Sequence, residues 1–146
     1  MPTLSKDAPR VFSGPFVENS LPMIDNDIIY AGAAVGDNAS GLARPLVAAD
    51  PFIGFATEKA DNTGTGHAAS AIDVKLRSEG FVELLVVGAT SAADEGEKVY
   101  ATDDNTFTMT ASGASAIGRI HKWSNDAVAT TKCVVRFQAA SMIDHT

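Results

Sequence analysis

The pattern of apolar and polar positions along this chain is that of short β-strands. It is clearest at residues 72–77 (IDVKLR), where apolar and charged side chains alternate, as expected of a strand with one face in the core and the other in water. Residues 81–87 (FVELLVV) are too apolar for a half-solvated strand, which predicts a central, buried strand. Between them, residues 78–80 (SEG) have the length and composition of a hairpin turn.

Other short apolar runs, separated by clusters of turn residues, extend this pattern. They predict strands at 28–31, 42–45, 52–57, 98–101, 106–110, 117–123 and 131–137. A Gly/Asp/Asn-rich turn at 36–41 lies between the first two runs, and residues 102–105 (TDDN) join the fourth to the fifth. Gly54 interrupts the third run, which indicates a bulge or a close approach of another backbone. The sequence therefore predicts an all-β fold, a small β-sandwich or barrel-like domain over residues 28–137, with no helix longer than about two turns.

The first 27 residues differ in character from this domain. Four of the six prolines fall there, at Pro2, Pro9, Pro15 and Pro22. Because proline fixes φ and donates no backbone hydrogen bond, the segment is predicted to be an extended arm, neither a regular helix nor a central strand. Its apolar anchors are Val11, Phe12, Phe16, Val17 and Leu21. Such an arm lies either in a groove of its own domain or on a neighbouring chain, and the composition does not choose between them. Residues 138–146 are predicted to be a short tail.

Composition and charge exclude several classes of protein. A chain of 146 residues with 45% apolar and 20% charged residues has the size and balance of one globular domain. The excess of 18 acidic over 11 basic residues gives a net charge of −7, which argues against nucleic-acid binding. The sequence contains neither a secretory signal pattern nor an apolar run long enough to span a membrane, so we expect a cytosolic origin and no membrane partner. The single cysteine, Cys133, permits no intrachain disulfide and is predicted to be a small core residue.

Motifs that would indicate catalysis or metal binding are weak. The segment 64–69 (GTGHAA) resembles the start of a dinucleotide fingerprint, but a predicted strand follows it where that motif needs a helix. The chain has no phosphate-binding loop of the G-x-x-x-x-G-K-[ST] type and no G-x-S-x-G elbow. The histidines, which show no metal-ligand spacing, are His67, His121 and His145. The acidic clusters at 94–97 and 103–105 favour turn geometry over calcium. We therefore expect no enzyme activity, no cofactor and no metal.

Four segments together resemble small capsid cement (decoration) proteins of tailed bacteriophages. The block at 51–64 (PFIGFATEKADNTG) resembles a Pro-Phe…Gly…Asp-Asn-Thr-Gly block of that family, and 80–87 (GFVELLVV) resembles the strand that follows it. Residues 99–108 (VYATDDNTFT) are similar to the next block, and 117–120 (IGRI) to the closing strand. Each pattern has modest specificity, but their order and spacing agree over about residues 28–137, which leaves the arm outside the resemblance.

The resemblance implies a structural protein of the virion. Such a protein binds the outer surface of the phage head, stabilises contacts between major capsid protein subunits, and assembles in the bacterial cytoplasm. It implies a homo-oligomer, a trimer at local threefold axes first and a dimer at twofold axes as the alternative. Because its four prolines block regular structure, the arm is expected to be disordered in the free protein, so that deleting residues 2–20 leaves the domain folded; if the arm belongs to its own core, the deletion unfolds the domain instead. On the capsid or a neighbouring subunit, the arm residues expected to make contact are Arg10, Val11, Phe12, Phe16 and Leu21, with Arg10 meeting a carboxylate.

An alternative function is a carbohydrate- or receptor-binding β module of a phage tail or surface structure. That function requires an exposed aromatic platform. The candidates are Tyr30, Tyr100 and Trp123, which make a thin platform.

Overall fold

The computed structural model, which describes residues 4–66, 68–124 and 131–140, is built almost entirely of strands. Strand accounts for 52% and helix for 2% of the chain, which confirms the all-β prediction. The strands are β1 (Phe12–Pro22), β2 (Ile28–Ile29), β3 (Ala34–Asp37), β4 (Ala43–Pro45), β5 (Phe52–Ala56), β6 (Ala60–Asp61), β7 (Asp73–Val87), β8 (Lys98–Ala101), β9 (Phe107–Thr108), β10 (Ser115–Trp123) and β11 (Lys132–Gln138). Among the described residues, the only helical element is a single 3-10 turn at Ala92–Asp94.

Five of these strands close into a barrel. The order is β11-β10-β8-β9-β7, and β11 returns to pair with β7. Strands β7 and β9 are parallel, and the other pairs are antiparallel. The sheet continues from β7 through β5 and β3 to β4, while β2 and β6 form a separate two-stranded ribbon. The barrel core is formed by aromatic and branched side chains, among them Phe52, Phe55, Phe107, Ile117, Ile120 and Phe137.

A second apolar cluster lies beside the barrel, where the sheet extension meets the ribbon. Its largest members are Met23, Ile29, Val35, Val74 and Leu76. Val74 and Leu76 point inward from β7, as the alternation at 72–77 predicts. The two clusters together make a continuous buried layer along β7, because that strand contributes to both.

The predicted hairpin turn at 78–80 is wrong, because β7 runs unbroken through it. Ser78 is buried, and Glu79 pairs with Val17 on one side and Gln138 on the other. Gly80 lies in a crowded position: a Cβ here would be 3.3 Å from the Phe16 Cβ and 3.4 Å from the Phe137 Cζ, tighter than an ordinary contact. The glycine thus admits side chains from β1 and β11 and does not reverse the chain.

The expectation that residues 81–87 form a central strand is confirmed, but the expectation that the run is too apolar to be half solvated is wrong. The segment is central in strand order, but its side chains alternate between core and solvent. Val82, Leu84 and Val86 point into the barrel, whereas Leu85 and Val87 are 58% and 61% exposed. An apolar run therefore leaves hydrophobic side chains on the outside of the barrel.

The turn at 36–41 joins different strands from those predicted. It connects β3 to β4, where the Asp37 carboxylate accepts the N–H groups of Ala39 and Gly41. Ile28 and Ile29 instead pair with β6. The turn itself is confirmed, but the strand predicted before it is wrong. The strand that precedes the turn is β3, whose apolar run at 33–35 (AAV) is too short to stand out in the sequence pattern.

Other predictions are confirmed. Strands β8 and β9 form the hairpin expected around 102–105, and β10 pairs with β11. Gly54 is a close approach, since a Cβ there would lie 2.4 Å from the Arg77 carbonyl oxygen. Cys133 is fully buried in the barrel core, and this burial raises the pKa of its thiol to about 11.

Candidate functional site

The N-terminal arm lies on its own domain, as an edge strand on β7. Strand β1 pairs antiparallel with β7 from Phe12 opposite Val82 to Pro22 opposite Asp73. Pro15 falls within an irregularity of this pairing and Pro22 ends the strand, which are positions that tolerate a missing N–H. The structure therefore differs from the expectation of a disordered arm. Of the two predicted locations, the arm occupies the one on its own domain.

Phe12 is the arm's main anchor in the barrel. Its ring lies edge-on to Phe55 and Phe137, with centroid distances of 6.3 and 6.1 Å. Both partners are fully buried. The Arg77 guanidinium covers the Phe12 ring at 4.6 Å, a cation–π geometry. Phe12 thus extends the aromatic core of the barrel.

Arg10 makes side-chain contacts with its own domain. Its Nε donates to the Gly32 carbonyl at 2.8 Å, and Nη2 donates to Asn105 Oδ1 at 2.7 Å. The guanidinium also lies 5.3 Å from the centre of the Phe107 ring. Burial lowers the pKa of Arg10, while the nearby Asp104 charge opposes that effect. The segment before β1 is therefore fixed to the loop after β8.

Asp104 completes this attachment. Asp104 as a residue is only 1% exposed, and its Oδ1 accepts the Leu4 N–H at 3.0 Å. Burial raises the pKa of Asp104 to about 6; the Asp103 charge adds to the rise, and the Leu4 N–H and Arg10 oppose it. We call the group Leu4, Arg10, Gly32, Asp104 and Asn105 the arm clasp. No sequence motif marks it, since Leu4 and Asp104, which it joins, are 100 residues apart in the chain.

The remaining arm residues divide between the domain and solvent. Leu21 is half-buried against the second apolar cluster. Phe16 is 46% exposed, with Arg77 4.0 Å from the centre of its ring, and Val11 is 59% exposed. Of the five arm residues predicted to contact a capsid, only Val11 and Phe16 remain largely exposed.

Val11 borders an outward-facing surface that the sequence pattern did not identify. Its carbonyl accepts the Glu83 N–H at 3.0 Å, which places it beside β7. Outward side chains of the Val11 segment, β7 and β11 form one surface, which we call the outer wall. It consists of Val11, Glu79, Phe81, Glu83, Leu85, Val87, Lys132, Val134 and Arg136. Ion pairs cross it, among them Lys132–Glu83 and Arg136–Glu79, each at 3.2 Å.

The other predicted candidates lie elsewhere. His121 is exposed on β10, with its ring 5.0 Å from that of Phe81, while His67 and His145 fall outside the described residues. The acidic clusters cap turns: Asp94 Oδ2 accepts the Thr90 N–H, and Asp103 Oδ1 accepts the Asn105 N–H. Over the described ranges, no group of three acidic, histidine or cysteine side chains is placed to hold a metal ion.

The three residues of the suggested aromatic platform lie on separate elements. Tyr30 follows β2 and lines an open groove of about 590 Å³, whereas Tyr100 belongs to β8 and Trp123 ends β10, packed against the barrel core. Polar side chains of the same groove include Asp27, Arg44 and Asp104. The Arg44 guanidinium is already engaged with both carboxylate oxygens of Asp50.

No protein-family model matches this chain, and no curated protein matches it either. Within the described residues, the structure has no helix of the length and hydrophobicity that crossing a bilayer would demand.

Proposed function

We propose that this chain is a structural cement protein of a tailed-phage head, bound to the outer surface where it stabilises contacts between major capsid protein subunits. In this role it is a non-catalytic protein of the virion, assembled in the bacterial cytoplasm. It needs no cofactor, and its partners are the capsid protein and further copies of itself.

The observation that carries the proposal is where the family-like segments lie in the fold. Residues 52–56 form β5, residues 80–87 form half of β7, and residues 99–108 cover most of the β8–β9 hairpin. Residues 117–120 lie in β10. All four segments supply strands of the barrel or of its adjoining sheet, so the resemblance follows the framework of one domain and not scattered surface loops.

Charge and rigidity also support an external structural role. A net charge of −7 would be repelled by packed DNA inside a head but is tolerated on its outer surface. The closed barrel leaves few free strand edges, and the arm covers one edge of β7 from Asp73 to Val82. A surface held in this way can brace two neighbouring subunits without a large ordering cost.

The test is reconstitution on heads of the phage that encodes the chain, prepared without it. We expect purified protein to co-sediment with these heads at a saturating, lattice-defined ratio and to raise the temperature at which they release DNA. Heads of an unrelated phage are the control. Failure to co-sediment, or binding without any change in head stability, would contradict a cement role.

The alternative, a glycan- or receptor-binding module, has one specific observation in its favour. The groove beside Tyr30 combines an aromatic ring with polar side chains, which is the usual composition of a sugar site. Binding of the purified chain to a glycan array, lost in Tyr30→Ala, would favour this function over the first.

A further inference from the structure

The outer wall exposes more apolar surface than a solvated sheet face usually does. Leu85 and Val87 are mostly exposed on β7, and Val11 beside them is equally so. They are neighbours: Leu85 and Val87 are two residues apart on one strand face, and Val11 lies across from Glu83. A contiguous apolar patch on a rigid sheet is typical of an interaction surface.

The charges on this wall are arranged in two columns. Glu79 and Glu83 lie along β7, and Lys132 and Arg136 lie along the adjacent β11. Strands β1 and β11 flank opposite edges of β7, because Phe81 and Val82 pair with both. The wall therefore has an acidic column and a basic column side by side, with apolar side chains between and beside them.

This arrangement is complementary to itself. Consider a twofold axis that runs parallel to the strands, between β7 and β11. This axis places β7 of each copy face to face with β11 of the other. Because Glu83 is level with Val134 and Leu85 is level with Lys132, the acidic side chains of one copy reach the basic column of the other one position along the strand. Leu85 of the two copies lie at the same height on either side of the axis, so they can meet across the interface. A twofold interface of this kind uses the same patch on both copies, so one favourable contact occurs twice.

The distribution of charge also favours this face for association between two copies. Two chains of charge −7 repel each other through most of their surface. Four of the eleven cationic side chains, Arg119, Lys122, Lys132 and Arg136, are on β10 and β11, at or beside the outer wall. The wall is thus a place where two copies can approach without strong repulsion.

From these observations we propose that the outer wall is a twofold self-association surface, which joins two copies of this chain face to face through β7 and β11. The inference does not rest on the capsid role, because the association is measured on the free protein in solution. It specifies a dimer, which the family resemblance gives as the alternative to a trimer, and the measured mass distinguishes the two.

The first test is sedimentation equilibrium of the purified chain from micromolar to near-millimolar concentration. We expect a monomer–dimer equilibrium that Leu85→Glu/Val87→Glu weakens by at least about tenfold, since it removes buried apolar contacts and adds like charges. The matched control is Val47→Glu, because Val47 is 49% exposed but lies outside the wall. Circular dichroism and thermal unfolding check that all three proteins are folded.

The second test asks whether the charge columns pair between chains. Glu79→Lys/Glu83→Lys makes both columns basic, and Lys132→Glu/Arg136→Glu makes both acidic. We expect neither variant to dimerise alone and an equimolar mixture to form a one-to-one dimer. Mixing cannot rebuild the ion pairs within a chain, so recovery reports pairing between chains.

Three results would overturn the proposal. They are a wild-type chain that stays monomeric across the concentration range, a trimer, and a dimer that the wall variants leave unchanged.

Discussion

Asp104 shows how one buried carboxyl group couples the arm to pH. The folded-state pKa of Asp104 is about 6, above the ordinary aspartate value of 3.8, because burial disfavours the charged form. A carboxyl group with a raised folded-state pKa stabilises the fold fully below its unfolded pKa, and this contribution is lost as the pH rises through about 6. The arm clasp is therefore tightest in mild acid and weaker at neutral pH.

Asp104→Asn tests this effect, since the amide is isosteric and stays neutral. A shift from 3.8 to about 6 corresponds to roughly 2 to 3 kcal/mol. We expect the variant to match the wild-type free energy of unfolding near pH 4 and to exceed it at pH 7.5 by up to about that amount. Urea titrations at pH 4, 5, 6 and 7.5, read as the difference between the two proteins, measure it. A difference that does not change with pH would show that Asp104 is not the titrating group.

Gly54 tests the close contact between β5 and β7. Its φ is +142°, and a Cβ would meet the Arg77 carbonyl oxygen at 2.4 Å. We expect Gly54→Ala to destabilise the fold by about 2 to 4 kcal/mol. Gly41→Ala is the matched control: its φ is +81° but nothing lies within 4 Å, so only about 1 kcal/mol is at stake. Equal losses in thermal denaturation would mean that backbone conformation, and not the steric contact, sets the cost at Gly54.

These residues also mark the limit of sequence reasoning. The position of Gly54 inside an apolar run was enough to predict a close approach, and the alternation around Cys133 was enough to predict its burial. The arm clasp could not be predicted in this way, because Leu4 meets Asp104 only after the barrel has formed. The sequence pattern predicts a turn at Asp103 and Asp104. Asp103 does cap this turn, but the pattern does not reveal that Asp104 accepts the Leu4 N–H.

Among the elements, β7 organises the molecule, because it pairs with β1, β5, β9 and β11. Its fifteen residues contain a Ser-Glu-Gly sequence that is typical of a turn, and only the side chains arriving from β1 and β11 explain why the chain runs straight there. The same strand shows why a wholly apolar run is an ambiguous signal. Such a run is compatible with a strand that is buried on both faces and equally with a strand whose outer face is exposed.

Phe12 and Phe16 differ in how much each contributes to holding the arm on its domain. Phe12 contacts two buried rings, whereas Phe16 is largely exposed and contacts Arg77. We expect Phe12→Ala to lower the free energy of unfolding by about 2 to 4 kcal/mol and Phe16→Ala by about 1 kcal/mol or less. Chemical denaturation of both variants checks this. A similar small loss in both would mean that the arm is only loosely attached to the free domain.

Removing the arm is expected to have a larger effect. Deleting residues 2–20 leaves one edge of β7 unpaired over most of Asp73–Val82 and takes Phe12 from the aromatic core. We expect a lower melting temperature and an increased tendency to aggregate through the open edge. Thermal unfolding followed by light scattering measures both. A truncated chain as stable and as soluble as the full chain would restore the original expectation of a dispensable arm.

At the scale of the whole molecule, the structure separates a framework from two exposed surfaces. The barrel is a rigid framework, the exposed part of the arm offers Phe16, and the outer wall offers Val11, Leu85 and Val87. In a cement protein these surfaces would face a capsid subunit or another copy, because removing apolar side chains from water is favourable. The fold class could be predicted from the sequence, but these surfaces depend on which face of each strand the barrel turns outward.

The most direct test of the cement role is a cryo-electron microscopy map of the phage head with the purified chain added back. The account predicts density for the barrel on the outer surface, over boundaries between major capsid protein subunits and at symmetry-related positions. It is contradicted by heads whose outer surface carries no such density at saturating protein, or by density confined to the tail.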